Sequence, residues 1–211
     1  MPVNQDKKVK TTKGEKTGQR ILDAAEQLFS ESGFAGTSIR DVTALAGIQK
    51  ASFYNHFTSK DALYSAVLER GFAPMLQIMV DFTEQGEKAY ENPQLPATFF
   101  ELMATMPSFA RLLQFESLQG GARLKPLLAQ WVGEGLAKGE QAMKGSRHGK
   151  YWQPEELRLL SFYTFTMILG YFTLQPLYEL YTDEEPMTPA SIERQKTFLS
   201  RLWQQIWYQN S

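Results

Sequence analysis

Apolar residues recur three and four apart in successive blocks along this chain, the period of amphipathic helices. Ile21, Ala25, Leu28 and Phe29 make the inner stripe of a helix from about Thr17 to Ser32, with Leu22 at its edge and Gly33 ending it. Phe34 and Ile39 join the same core. Ser38 is placed to cap a second helix, because its hydroxyl can accept a free backbone N–H. Ile39, Val42 and Ala46 then share one face, and Gly47 follows where a positive φ suits glycine. A third, short helix is predicted from about Gln49 to Phe57, with Phe53 and Phe57 four apart on the same small core. Ser59 caps a fourth, and Asp61 stands in its first turn. Ala62, Leu63, Ala66, Val67 and Arg70 keep the helical period there. Gly71 and Pro74 interrupt it, and it resumes at Met75, Ile78, Met79 and Phe82, so Pro74 reads as a kink.

Residues 83–96 are polar with Gly86, Pro93 and Pro96, a loop leading to a helix that begins near Leu95. Two helices parted at Pro107 follow, with Ser108 as a cap and Gly120-Gly121 as the end. Another is expected from Pro126 to Met143, then a loop with a basic cluster over residues 144–154, read as a solvated connection. The last two helices run from about Pro154 to Tyr181 and from Pro189 to Tyr208, joined by the acidic turn TDEEPMTP. Gly170, in the first of them, is a place for close backbone approach. The second carries Ile192, Leu199, Leu202 and Ile206 on one stripe, with Phe198, Trp203 and Trp207 beside it. That is more apolar surface than one helix needs within its own subunit, and two helices from each of two chains would make a four-helix interface. The whole pattern is all-α, with a small three-helix head before a larger helical domain. The expected divisions are an arm at 1–16, the head at 17–62 and the larger domain at 63–211.

Charge and composition narrow the function. Residues 1–70 hold ten Lys/Arg against eight Asp/Glu, and residues 71–211 hold twelve against fifteen, so the small positive surplus lies in the head. Residues 1–16 carry five lysines and few apolar residues, the composition of a disordered arm or an ordinary solvated tail. Lys16 and Arg20, next to the first helix, are the better placed cations for a partner. The absence of cysteine excludes disulfides, zinc fingers and thiol chemistry and fits a cytoplasmic protein. His56 and His148 are the only histidines, so no metal site and no cofactor are expected. The start of the chain is polar, without a secretory signal. Residues 159–178 carry no charge, long enough for a bilayer, but with Ser161, Thr164, Thr166, Thr173, Gln175 and Pro176 they read as a helix buried on nearly all sides.

The third helix carries the chemistry. Behind Phe53 and Phe57 it presents Gln49, Lys50, Ser52, Tyr54, Asn55 and His56, one cation and no carboxylate. A face for duplex DNA avoids carboxylates, because phosphates repel them. Gln and Asn pair with adenine edges, Lys reaches guanine O6 or N7, and Tyr, Ser and His bond phosphates. An ordinary solvated face is the other reading, since short helix pairs also occur in bundles that bind nothing.

The block ILDAAEQLFSESGFAGTSIRDVTALAGIQKASFYNHFTSKDALY resembles the DNA-binding head of TetR/AcrR-type transcriptional repressors, from about Thr17 to Val67. It shows that family's "A…LF…GF..T…I", "A…AG" and "YNHF.SK..L" at the family's spacing. Phe53, where Leu is commoner, and Ala51, often Gly or Pro, depart from the pattern and are compatible with it. The resemblance implies an N-terminal helix-turn-helix DNA-binding domain and a C-terminal ligand-binding and dimerisation domain. Residue by residue, it puts a phosphate contact at Thr37, with Ser38 beside it, and base reading at Gln49, Lys50, Ala51 and Ser52. Phosphate contacts follow at Tyr54 and His56, a variable contact at Asn55 and a phosphate-binding lysine at Lys60. It implies a homodimer through the last two helices and a small-molecule effector in the C-terminal domain, for which Phe72, Met75, Phe99, Phe100, Met103, Phe115, Trp131 and Phe165 are candidate lining residues. Glu101 or Glu116 would favour a cationic or donor group if either faces a cavity. The expected function is a dimeric repressor on a near-palindromic operator, released by an apolar or amphipathic effector. Two other classes compete. An enzyme finds no Gly-rich phosphate loop, metal spacing or activated nucleophile here, so no catalytic residue is expected. An adaptor dimer would turn the same head towards protein.

Overall fold

The computed structural model describes residues 12–84, 86, 92–131, 133–147 and 149–208. Among these the regular elements are all helical. The chain divides into two compact units, Met1–Val67 and Leu68–Ser211.

In the first unit α1 spans Lys13–Gly36. It starts at a capping box: Thr12 Oγ1 accepts the Glu15 N–H at 3.2 Å, and the Thr12 N–H donates to the Glu15 carboxylate at 2.6 Å. Lys13–Lys16, expected in the arm, are therefore its first turn, while residues 1–11 lie outside the described residues. Gly33 breaks the helix with φ 69° and ψ 178°. Helix α2 spans Ile39–Ala46 behind the Ser38 cap, and α3 spans Lys50–Tyr54. Although α3 is shorter than the predicted Gln49–Phe57, the Phe57 N–H still donates to Phe53 O at 3.0 Å, so the last turn relaxes rather than stops. The Ala62 N–H donates to Ser59 Oγ at 3.0 Å and opens α4, Lys60–Glu84. Ile21, Ala25, Phe29, Val42, Phe53, Leu63, Tyr64 and Val67 fill the core of this unit.

In the second unit α4 continues through Gly71 and Pro74 without a break. Gly71 lies against the ring of Phe109: a Cβ there would stand 2.1 Å from a ring carbon. Helices α5 (Leu95–Thr105) and α6 (Pro107–Leu118) part at Pro107, which cannot donate to the preceding turn. The cap they share is Met106, with φ −139° and ψ 56°, rather than Ser108. Gly120 and Gly121, both at positive φ, end α6. Over the helix expected from Pro126 to Met143 the described helices are α7 (Leu124–Trp131) and α8 (Gly133–Gly145), on either side of residue 132, which lies outside the described residues. A short 3₁₀ turn at Gly149–Tyr151 precedes α9, Pro154–Thr173.

The expected single helix to Tyr181 is two. Helix α10 spans Gln175–Thr182 at 81° to α9, because Pro176 lacks the N–H that would continue the ladder. Helix α11 (Pro189–Tyr208) packs on α5, and α9 packs on α5, α6 and α8. On α11, Leu199, Trp203 and Trp207 are buried at steps of four, so the tryptophans belong to this chain's own core, while Phe198 is exposed. Trp207 stacks between Trp203 and Trp152, with ring centroids 5.4 and 6.4 Å away. The Nε1 groups of Trp152 and Trp207 are buried without an acceptor among the described residues.

The uncharged stretch 159–178, shared by α9 and α10, is not buried on nearly all sides. Leu159, Phe162, Tyr163 and Met167 are exposed along one face, opposite buried Leu157, Ile168 and Phe172. A Cβ at Gly170 would meet nothing within 4 Å among the described residues, so none of their backbone approaches there. Among the described residues no single helix is long and apolar enough to cross a membrane.

Candidate nucleic-acid interface

The turn between α2 and α3 follows from its sequence. Gly47 takes φ 63° and ψ 42°, a left-handed conformation a β-carbon would disfavour. Its N–H donates to Ala44 O at 3.1 Å and the Ile48 N–H to Thr43 O at 3.0 Å, which closes the carbonyl end of α2 as a Schellman motif. At the other end Ser38 Oγ accepts the Asp41 N–H at 3.2 Å and donates to the Asp41 carboxylate at 2.6 Å. These bonds from Ser38, with Arg40 nearby, hold the Asp41 carboxyl below the usual carboxylate range.

Helix α3 is anchored by Phe53, which is 0% exposed and meets the rings of Tyr54 and Phe57 at 5.3 and 5.9 Å. Opposite it, Gln49, Lys50, Ala51, Tyr54 and Asn55 are exposed, and Ser52 is half-buried. No carboxylate stands between Gly47 and Lys60. His56 is half-buried; a Cβ at Gly18 of α1 would lie 3.4 Å from its Nδ1, so the imidazole rests on α1.

The other candidate contacts are engaged within the head. Thr37 is buried and its hydroxyl donates to Gly33 O at 2.9 Å. The Lys60 ammonium donates to Phe34 O at 2.8 Å and to Thr37 O at 2.9 Å. Arg20 donates from its guanidinium to Ala46 O and, at 3.2 Å, to Gly47 O. Lys16 is exposed. Residues 35–40, Lys50 and Lys60 line an open groove beside the start of α2. Arg40, in that groove, is not among the residues that the sequence pattern singles out; a cation in the first turn after a serine cap is the signal that could have found it.

The candidate effector residues are spread through the C-terminal unit. Phe72, Met75, Phe100 and Met103 are buried, and Phe99, Phe115 and Phe165 are half-buried. Phe72 meets Phe109 edge-on at 5.1 Å, and Phe100 lies 5.0 Å from the rings of both Tyr171 and Phe172. The side chain of Trp131 lies outside the described residues. Glu101 faces solvent and pairs with Lys196 at 3.0 Å. Glu116 is buried and accepts the Arg123 N–H at 2.9 Å.

Residues 21–67 match the family described as bacterial regulatory proteins, tetR family. The HTH-type transcriptional repressor DhaR of Mycobacterium sp. (strain GP1) is 40% identical over 57 residues, 27% of this chain and 29% of DhaR. The HTH-type transcriptional regulator RutR of Escherichia coli (strain K12) is 35% identical over 109 residues, 49% of each chain. This chain therefore spans no more than about half the length of these curated relatives. In three dimensions it is similar to SCO4942 from Streptomyces coelicolor, with a TM-score of 0.68 and 24% identity over 91% of this chain and 98% of that one. That likeness carries the helical fold beyond the matched head.

Proposed function

We propose that this chain, whose residues 21–67 match the tetR family of bacterial regulatory proteins, is a ligand-responsive transcriptional repressor. It acts as a homodimer on a near-palindromic operator. Each subunit lays α3 in a major groove, with the two helices one turn of DNA apart, ~34–36 Å, or a multiple of it. Gln49, Lys50, Ala51 and Ser52 meet base edges; Thr37, Ser38, Tyr54, Asn55 and His56 lie along the sugar-phosphate edge. The observation that carries this reading is the exposed, carboxylate-free face of α3 set directly opposite a fully buried Phe53.

The dimer is supported by the exposed apolar face of α9 and α10. Phe162, Tyr163, Met167, Leu177, Leu180 and Tyr181 are exposed together with Phe198 of α11. A surface of that size and polarity is normally covered by a partner. Open space over Gly170 leaves room for a second copy. A small apolar or amphipathic effector, bound among the Phe and Met side chains of the C-terminal unit, releases the operator. A coupling of ~1–3 kcal/mol between the two sites changes operator affinity about 5–150-fold.

Selection of bound fragments from the host genome, followed by footprinting, tests the reading. A protected near-palindrome is expected, and Lys50→Ala should weaken its binding by ~1–3 kcal/mol. Retention of no fragment above background would overturn the assignment, and an unchanged footprint and affinity would remove Lys50 from the bases.

A further inference from the structure

We infer that the buried indole N–H groups of Trp152 and Trp207 are the polar contacts of an effector site in the C-terminal unit. The ligand they select is an uncharged molecule with a flat apolar body and a carbonyl-type acceptor. The inference rests on the effector part of the reading above and names the chemical class that part leaves open. Both Nε1 atoms are buried and have no acceptor among the described residues. An indole nitrogen can only donate. A buried donor left unmatched loses its hydration and gains nothing, which is why such groups are few in folded proteins. Phenylalanine would fill the same kind of space without that cost. The two N–H groups therefore call for an acceptor that the described residues do not supply.

The surroundings decide what can bring it. Trp207, fully buried, lies in a cluster with Phe82, Leu95, Met143, Leu157 and Trp203, drawn from α4, α5, α8, α9 and α11. Trp152 and Phe99, both half-buried, pack against that cluster. These side chains offer hydrocarbon, thioether and indole. An anion buried among them would lose its hydration with no cation beside it, so the acceptor is neutral. The rings of Trp203, Trp207 and Trp152 are nearly parallel, at 10° and 13°, with centroids 5.4 and 6.4 Å apart. Such an offset stack favours a flat body that extends it. Trp152 is an end ring of the three. It is carried by the turn between Gly149–Tyr151 and α9, not by a helix, so rotation of its side chain bares the face of Trp207 while every helix stays in place.

Three probes of similar shape test this on the full chain: acetylnaphthalene, isopropenylnaphthalene, in which carbon replaces the carbonyl oxygen, and naphthoate, an anion. The chain has four tryptophans, so four indole N–H signals arise in the NMR spectrum of nitrogen-labelled protein, and single Trp-to-Phe variants assign them. Acetylnaphthalene should move the Trp152 and Trp207 signals downfield. It should bind about tenfold more tightly than isopropenylnaphthalene, the scale of a good hydrogen bond. Naphthoate should bind more weakly than the ketone. Trp207→Phe should lower the affinity for the ketone to near that for the alkene, while costing the alkene itself far less. Equal affinities for ketone and alkene, tightest binding by naphthoate, or the two signals staying in place, as with a resident water only, would each overturn the inference. If Trp207→Phe does not fold, Trp152→Phe and the wild-type signals decide. Affinity for the footprinted duplex, read with and without the ketone, separates the inference from the reading it rests on. A bound ketone that leaves operator affinity unchanged keeps the acceptor site and removes its effector role. The titration itself needs no duplex, so it decides the site even where the operator reading fails.

Discussion

Gly71 sits inside α4, where alanine would ordinarily be the better residue by ~1 kcal/mol. The packing argues the other way. A Cβ on Gly71 would lie 2.1, 2.2 and 2.6 Å from three ring carbons of Phe109. These are far inside carbon–carbon contact, so the ring would have to retreat by ~1 Å or more. It has little freedom to do so: Phe109 is 1% exposed and Phe72 stands edge-on to it at 5.1 Å. Overpacking of a closed core costs ~1–3 kcal/mol, and this geometry belongs at the upper end. The clash outweighs the helix gain, so Gly71→Ala should destabilise by ~1–2 kcal/mol net. At ~2–4 °C per kcal/mol for a chain of this size, the melting temperature should fall by ~2–8 °C. Thermal melts by circular dichroism of Gly71→Ala, Phe109→Leu and the double variant make the test. The smaller Leu leaves space for the methyl, so the double variant should lose less than the sum of the singles, by ~1 kcal/mol. A Gly71→Ala protein that melts above the wild type would refute the close approach and leave Gly71 as a plain weak point in a helix.

Gly149 is a harsher case. A Cβ there would stand 1.6 Å from the carbonyl oxygen of Met143, which is backbone and cannot swing aside. Gly149→Ala should therefore cost ~4 kcal/mol or more, and a denaturant midpoint matching wild type would count against the turn as described. Acid should loosen α2. Asp41 has a lowered folded-state pKa through Ser38, so the folded state binds its proton less readily than the unfolded chain. Its contribution is complete above the ordinary value of 3.8 and is lost as pH falls through the lowered value. Amide exchange in α2 should show that loss in the wild type and not in Asp41→Asn; equal pH profiles would sever the link. Ser38→Ala should cost ~1 kcal/mol in the head, read from its denaturant midpoint, and an unmoved midpoint would deny Ser38 its capping role.

Much of the head can be read from residue types because its signals are local. Ser38, Gly47 and Ser59 act through bonds within a few residues of themselves, and the period of Ile21, Ala25 and Phe29 needs only one helix to express it. The Thr12–Glu15 capping box is equally local, a Thr-x-x-Glu pattern masked by the lysines around it. What stays illegible depends on partners distant in the chain. Nothing in the sequence says that Arg20 and Lys60 meet carbonyls 26 residues away. Nor does an uncharged stretch of helix declare whether its apolar residues face a core or an uncovered surface; Phe162 and Phe172 look alike in sequence, and only Phe172 is buried. Pro176 does signal the bend between α9 and α10, but one proline is compatible with both a kink and a full corner.

The three stacked indoles of the C-terminal unit give the protein an optical signature of its own. Nearly parallel rings at such close range couple their transitions, so Trp152, Trp203 and Trp207 should produce a near-ultraviolet dichroism band that vanishes when their register loosens. They come from two separate parts of the chain, and that band therefore reports on whether those parts remain seated together. A label-free titration could follow the body of the molecule through it while the head is occupied elsewhere.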